Sequence, residues 1–250
     1  MRAPAGVLIT GASGGLGAAL AAAYASPGRA LWLQGRRAER LDEVARVCRA
    51  SGAQVETRVL DLADVPALLA WTQGVAEGVD LAVVNAGITS NVRDGESWDE
   101  VDRLLQVNVR AAFATVAGVL PAMRARRRGQ IALVSSIAAW FGMPLTPAYC
   151  ASKAALKAYG ESLRGWLAHE GVEVSVVLPG FVRTAMSEQF PGPKRLMLEP
   201  PDAARRIVAG LERNRARIAF PFVPSFGMWA LGALPAGLAQ RLIAVMGYGR

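Results

Sequence analysis

A chain of 250 residues, 52% hydrophobic and 19% charged, carries too much apolar material for a disordered or fibrous protein and suits one large α/β domain. Its formal charge is +8, yet only three of its 28 basic residues, Lys153, Lys157 and Lys194, are lysines. That balance permits acidic partners, such as a phosphorylated cofactor or an anionic membrane, and proves none of them.

Residues 7–10 read as a short buried strand, followed by Gly11-Ala12-Ser13-Gly14-Gly15-Leu16-Gly17 and an alanine-rich helix. Strand, glycine turn and helix open a dinucleotide-binding unit, because glycine lets the backbone approach a pyrophosphate that then sits on the helix N-terminus. The spacing is G-x-x-x-G-x-G, on Gly11, Gly15 and Gly17, rather than G-x-G-x-x-G. Residues 30–34 form a second strand ending in Gly35-Arg36-Arg37. An acidic residue there would accept hydrogen bonds from the adenosine ribose of NAD. Gly35 stands in its place, and the guanidinium of Arg36, with Arg37 beside it, suits a 2′-phosphate. The loop therefore predicts NADP(H) in preference to NAD(H).

Helix 38–50 leads to a third strand at 55–60, then Asp61-Leu62, a further helix, and a fourth strand at 80–84 that ends in Asn85-Ala86-Gly87. Polar and small residues just past strand ends are where open parallel sheets bind ligands. A long helix over 98–124 carries Asn108 in its middle, which marks either a local kink or a placed polar group. Arg124, Arg126, Arg127 and Arg128 end this helix, where cations satisfy terminal carbonyls, and no nucleic-acid motif accompanies them. Strand 130–134 ends in Ser135-Ser136. The helix after it runs to about residue 170, with His169, the sole histidine, as a capping or surface residue. Strand 172–178 closes in Pro179-Gly180-Phe181-Val182-Arg183-Thr184, and the irregular stretch to residue 201, with Pro191, Pro193 and Pro200, reads as a mobile substrate loop. Helix 202–214 and a seventh strand at 217–220 complete one sheet without repeat or linker. Cys48 and Cys150 have no metal-ligand spacing and fit reduced thiols; with no signal-peptide pattern at the N-terminus, a cytoplasmic protein without a metal site is expected.

Ala148-Tyr149-Cys150-Ala151-Ser152-Lys153 organises the rest. Four residues apart on a helix means one face, so the Tyr149 phenol and the Lys153 ammonium share a space. Tyrosine titrates near ~10, and a fixed cation favours the phenolate, moving it toward the range of a working acid or base.

With these landmarks the chain resembles the short-chain dehydrogenase/reductase family over residues 5–221. Thr10, Gly11, Gly15 and Gly17 match its T-G-x-x-x-G-x-G, with Ser13 where many NADP-preferring members carry a basic residue. Asp61 matches the acid that hydrogen-bonds adenine, with Leu62 beside it, and Asn85, Ala86 and Gly87 match N-A-G. Asn108, Ser136, Tyr149 and Lys153 match the family's catalytic four. Pro179, Gly180 and Thr184, with Val182 among them, match the P-G-x-x-x-T that holds the nicotinamide carboxamide. The resemblance implies a Rossmann-type, doubly wound, seven-stranded parallel sheet. It also implies that Ser136 binds a substrate carbonyl oxygen, Tyr149 protonates it as NADPH delivers hydride, and Lys153 lowers the Tyr149 pKa and holds the nicotinamide ribose. Asn108 would anchor a proton-relay water. Family members pair through the Asn108 and Tyr149 helices, so a homodimer or homotetramer is expected.

Residues 218–240 carry no charge and include Phe222, Phe226, Met228 and Trp229. The run is long enough to span a bilayer, but Pro221, Pro224 and Pro235 interrupt it. Residues 1–221 are therefore read as the catalytic domain and 222–250 as a hydrophobic extension. That extension would serve as a pocket lid, a subunit interface, or a membrane-facing surface with Arg241 and Arg250 toward anionic headgroups. The leading function is reduction of an apolar ketone, 3-oxoacyl or lipid-like carbonyl. Secondary-alcohol oxidation and nucleotide sensing without turnover are the alternatives.

Overall fold

The apolar runs of the sequence become strands because backbone buried on both faces of a sheet tolerates only apolar side chains. The computed structural model describes residues 4–90, 95–190, 192–194 and 196–248; Pro191 and Arg250 lie outside them. β1 (Gly6–Ile9), β2 (Ala30–Gly35), β3 (Gln54–Val59), β4 (Leu81–Val84), β5 (Gly129–Val134), β6 (Val172–Pro179) and β7 (Arg217–Phe220) form one sheet of order β3-β2-β1-β4-β5-β6-β7. Every pairing is parallel. The chain runs outward from β1 to β3 and returns to the other side of β1 at β4, and that switch point opens a crevice at the strand ends.

Helices cover both faces. Val7 and Ile9 of β1 point toward α1 (Gly15–Tyr24), α2 (Ala38–Ala50) and a later helix, and share a core with Leu20, Leu41 and Ile207. Leu8, between them, points the opposite way and joins Leu68 of α3 (Val65–Val75) and a second core on that face. The long helix of the sequence is α4 (Trp98–Leu105) and α5 (Ala111–Ala125), joined by one π-helical turn, Gln106–Arg110. Ser97 and Glu100 form a reciprocal capping box at its start.

Two expectations are corrected. α6 (Pro147–Trp166) ends before residue 170, leaving His169 exposed in the turn after it as the surface residue expected; the His169 carbonyl accepts a hydrogen bond from Arg127 (2.7 Å). The arginine cluster serves neighbouring elements more than its own helix end. Arg126 donates to the carbonyls of Ala76, Glu77 and Val79, Arg124 pairs with Glu170, and Arg128 pairs with Asp80. The two ends of the stretch after β6 are tied down: α7 (Ala185–Glu188) is capped by Thr184, and Val182 bridges Leu198 just before α8 (Pro200–Glu212).

Beyond β7 the chain forms α9 (Phe222–Ala233) and α10 (Ala236–Ile243), each started by a proline. Met228, Leu231, Ile243 and Tyr248 close over Ile137, Trp140, Phe141 and Met143, the segment that follows Ser136. A Cβ at Gly232 would come within 2.6 Å of the Trp140 carbonyl, so α9 rests directly on that segment.

Candidate active site

The glycine loop closes because no side chain fits at its corner. Gly11 adopts φ +69°, and a Cβ at Gly17 would fall 2.2 Å from the Gly11 carbonyl oxygen. Gly14 precedes α1 and offers no side-chain cap, so the first-turn amides have no side-chain acceptor. Such a start suits an anion, and the residues fit the pyrophosphate of a dinucleotide. Leu16 packs toward the core from the same turn, and a Cβ at Gly15 would touch Thr184 at 2.8 Å, which places the end of the P-G-x-x-x-T segment over α1. Within that segment Val182 is buried and Gly180 donates to the Phe220 carbonyl (2.7 Å).

Thr10 ties the two strands of the switch point together. Its Oγ1 accepts from the backbone N–H of Asn85 and of Ala86 (both 3.1 Å), and Asn85 Nδ2 returns a bond to the Thr10 carbonyl (3.0 Å). Gly87 follows, and a Cβ there would lie 3.2 Å from Lys153 Nζ and 3.3 Å from Asn108 Oδ1. Arg37 donates to the Ser13 carbonyl (3.0 Å), while exposed Arg36 lies near enough to Asp61 to stabilise its charge. A groove of about 420 Å³ runs past Ser13, Gly14 and Gly15 to Arg37 and Arg40. Asp61 is more engaged than its sequence reading implied. The Ala63 N–H and then Arg103, which reaches both carboxylate oxygens (2.8 and 2.7 Å), hold it below the usual carboxylate range. An adenine bound there would share Asp61 with Arg103. Leu62 is buried beneath it.

Asn108 is both alternatives at once. It sits in the π turn, fully buried. Its Oδ1 accepts from Ile88 N–H (2.8 Å), and its Nδ2 donates to the Ile88 carbonyl (2.9 Å) and Ser152 Oγ (3.0 Å). The bulge aims a polar side chain across to α6 that a regular helix would place elsewhere. Ser136 is in extended backbone after β5; its Oγ accepts from Ala138 N–H (3.1 Å) and makes a long bond to the Pro179 carbonyl (3.4 Å). Neighbouring Ser135 instead donates to the Lys153 carbonyl (2.6 Å), fastening α6 to β5. The Ser136 hydroxyl lies beside the Tyr149 phenol and favours its ionised form. Lys153 Nζ donates to the Val134 carbonyl (3.0 Å) and lies 5.7 Å from the centre of the Tyr149 ring.

This geometry corrects the expected effect of Lys153 on Tyr149. Burial pushes the phenol up to about 12, against the lowering influence of the neighbouring Ser136 hydroxyl. The ammonium sits over the ring and is turned to a backbone carbonyl rather than to the hydroxyl, and burial brings it down to about 8. The phenol is thus a protonated donor at neutral pH.

Residues that sequence reasoning passed over hold the site in shape. Gln34, buried near the end of β2, accepts from Gly11 N–H (2.9 Å) and donates to the Leu60 carbonyl (2.6 Å), pinning the glycine loop. A single polar residue in an apolar strand was the available signal. Glu96 accepts from Ser90 Oγ (2.5 Å) and from Ala148 N–H (3.1 Å), capping the start of α6 one residue before Tyr149. Nothing local marked it, since its partner is 52 residues away.

Lys153 carries a testable stability signature. Its folded value, about 8, lies below its ordinary 10.5, so the unfolded chain holds the proton more tightly and stability rises with pH between those values. The buried thiols of Cys48 and Cys150, raised above 9.0, and Tyr149, raised above 10.0, work the opposite way as pH rises, but wild type and variant share them and they cancel in the comparison. Urea unfolding without nucleotide should therefore show the wild type gaining about 1 kcal/mol between pH 8 and 9 relative to Lys153→Met. Equal slopes would contradict the burial assigned to this ammonium.

The comparisons agree with this geometry. The family model described as short chain dehydrogenase matches residues 5–194. An uncharacterized oxidoreductase of Myxococcus xanthus is 36% identical over 94% of this chain and 91% of its own length. The Bos taurus dehydrogenase/reductase SDR family member 7B is 32% identical over 95% of this chain and 80% of its own. Among solved structures, a short-chain dehydrogenase from Sphingobium yanoikuyae in complex with NADPH superposes with a TM-score of 0.80 at 26% identity, covering 96% of this chain and 95% of that one. The chain belongs to the short-chain dehydrogenase/reductase family and is an NAD(P)-dependent oxidoreductase.

Proposed function

We propose that the protein is an NADPH-dependent reductase of apolar carbonyl compounds, with Tyr149 as general acid. The observation that carries this reading is the Ser136 hydroxyl beside the Tyr149 phenol, with the Lys153 ammonium 5.7 Å from the centre of the phenol ring. The same side chains would serve alcohol oxidation in reverse, and reduction is favoured here by the NADPH reading of the loop after β2. Bound NADPH supplies the hydride for the carbonyl carbon. Ser136, whose 3.4 Å bond to the Pro179 carbonyl is easily exchanged, donates to the carbonyl oxygen, and Tyr149 gives that oxygen its proton. The Lys153 ammonium, held by the Val134 carbonyl 5.7 Å from the centre of the phenol ring, is the neighbouring cation that offsets the charge left on Tyr149. Asn108 acts by holding the Ile88 backbone and Ser152.

An apolar substrate is supported by a cavity of about 580 Å³ lined by Ala138, Trp140, Phe141, Met143 and Cys150, beginning two residues from Ser136 and one from Tyr149. NADPH is supported by Arg36 and Arg37 beyond β2 and by the ligand of the Sphingobium structure. Two or four copies in the cytoplasm would pair through the helices that carry Asn108 and Tyr149, which expose Leu105 and Trp166. The cofactor reading is tested by Arg36→Asp. A charge-assisted bond to the 2′-phosphate is worth about 1.5–3 kcal/mol, so kcat/KM for NADPH should fall about 10- to 100-fold while that for NADH holds or rises. A parallel loss for both nucleotides would refute the role given to Arg36.

A further inference from the structure

The tail leaves an apolar face with no partner in the fold. Ser225, Met228 and Leu231 make the inner edge of α9, buried against the segment after Ser136. Its outer side should be polar for a surface helix. Instead Phe222, Val223, Phe226 and Trp229 are exposed there, Phe222 at 78%, and none of the twelve residues of α9 is charged. The rings of Phe222, Phe226 and Trp229 follow one another along this side at 6.0 and 5.6 Å. Leu238, Leu242, Met246 and Val245, the last 88% exposed, extend the apolar surface along and beyond α10.

The face is held in place. Gly232 abuts the Trp140 carbonyl, and the Trp140 ring is held by Lys157 (4.4 Å) and Arg217 (5.2 Å), both paired with Glu161. Charge selects the occupant. From residue 213 to 248 the sequence contains no acidic residue, while Arg241 stands exposed on α10 and the whole chain is +8. A second copy docking the same face would set arginine against arginine with no carboxylate from either tail to answer it. A bilayer with anionic headgroups supplies both an apolar layer and the opposite charge. At twelve and eight residues the two helices are too short to span.

We propose that α9 and α10 lie on an anionic lipid bilayer, with Phe222, Phe226 and Trp229 in the boundary between headgroups and acyl chains and Arg241 among the phosphates. This goes beyond the catalytic reading and does not depend on it. The test is sedimentation of the full chain with vesicles of phosphatidylcholine alone or mixed with phosphatidylglycerol, at low and high salt, alongside light scattering. Wild type should sediment with the mixed vesicles at low salt and much less with phosphatidylcholine. The double variant Phe226→Ser/Trp229→Ser should partition at least about tenfold less while keeping its NADPH affinity, since both side chains lie outside the core. Arg241→Glu, which removes nothing from the core, should lose the preference for phosphatidylglycerol. The proposal is overturned if wild type stays in the supernatant with both vesicles. It is also overturned if the double variant drops to a smaller oligomer in solution, which would give the face to a second copy.

Discussion

Tyr149→Phe should lower kcat for carbonyl reduction by about 10³-fold or more while leaving nucleotide affinity within a few-fold of wild type. A positioned proton donor contributes roughly 10²–10⁴ in rate, and no other acid on the described residues stands beside Ser136 to replace it. Phenylalanine fills the same volume, so the loss is chemical and not structural. Ser136 would keep its contacts to Ala138 N–H and the Pro179 carbonyl. Steady-state turnover, together with a fluorescence titration of NADPH, separates the two effects. A variant that retained a tenth of the activity would show that another group supplies the proton.

Gly17→Val should have a comparable effect on the other half of the site. A Cβ at this position falls 2.2 Å from the Gly11 carbonyl oxygen and 2.8 Å from Asn85 Nδ2, atoms that belong to the loop corner and to the tie between β1 and β4. Neither can move without opening the corner that would receive the pyrophosphate. Overpacking of this kind costs about 1–3 kcal/mol, and NADPH affinity should fall by about 100-fold as the corner opens. Gly74, near the end of α3, is the control, because a Cβ there meets nothing within 4 Å. Gly74→Ala should leave binding unchanged and stability unchanged or slightly higher. Equal nucleotide affinity in Gly17→Val and wild type would show that the loop does not carry the pyrophosphate.

Much of the architecture was legible because it is written in local patterns. The apolar runs, the glycine turn before α1 and the polar residues at the strand ends set the parallel sheet and the crevice at its switch point. The prolines at 221 and 235 broke the uncharged tail into two helices, each starting just after one of them. What escaped was decided by groups far apart in sequence. Arg103 reaches Asp61 across 42 residues and Glu96 reaches Ala148 across 52, and no periodicity records either pairing. Asn108 could be read as a kink or as a placed polar group, and the π turn makes the two the same device. The helix carrying Tyr149 stops short of His169 because the chain turns at Leu167, whose side chain is buried on the sheet. The effect of Lys153 on Tyr149 was misjudged for a physical reason. Spacing on a helix sets which side chains are neighbours, but burial and the Val134 carbonyl decide where the ammonium points and which influence on the phenol wins.

The most direct test of carbonyl reduction by this site is isotopic. The enzyme is incubated with NADPH deuterated at the transferable C4 position and a panel of short- and long-chain ketones, and the products are analysed by mass spectrometry. The expected result is a secondary alcohol with one deuterium on the carbinol carbon, one NADP⁺ formed per alcohol, and faster turnover of the more apolar ketones. Nucleotide that binds but gives no labelled alcohol, together with no oxidation of secondary alcohols by NADP⁺, would contradict the catalytic reading and leave a nucleotide-binding protein without turnover.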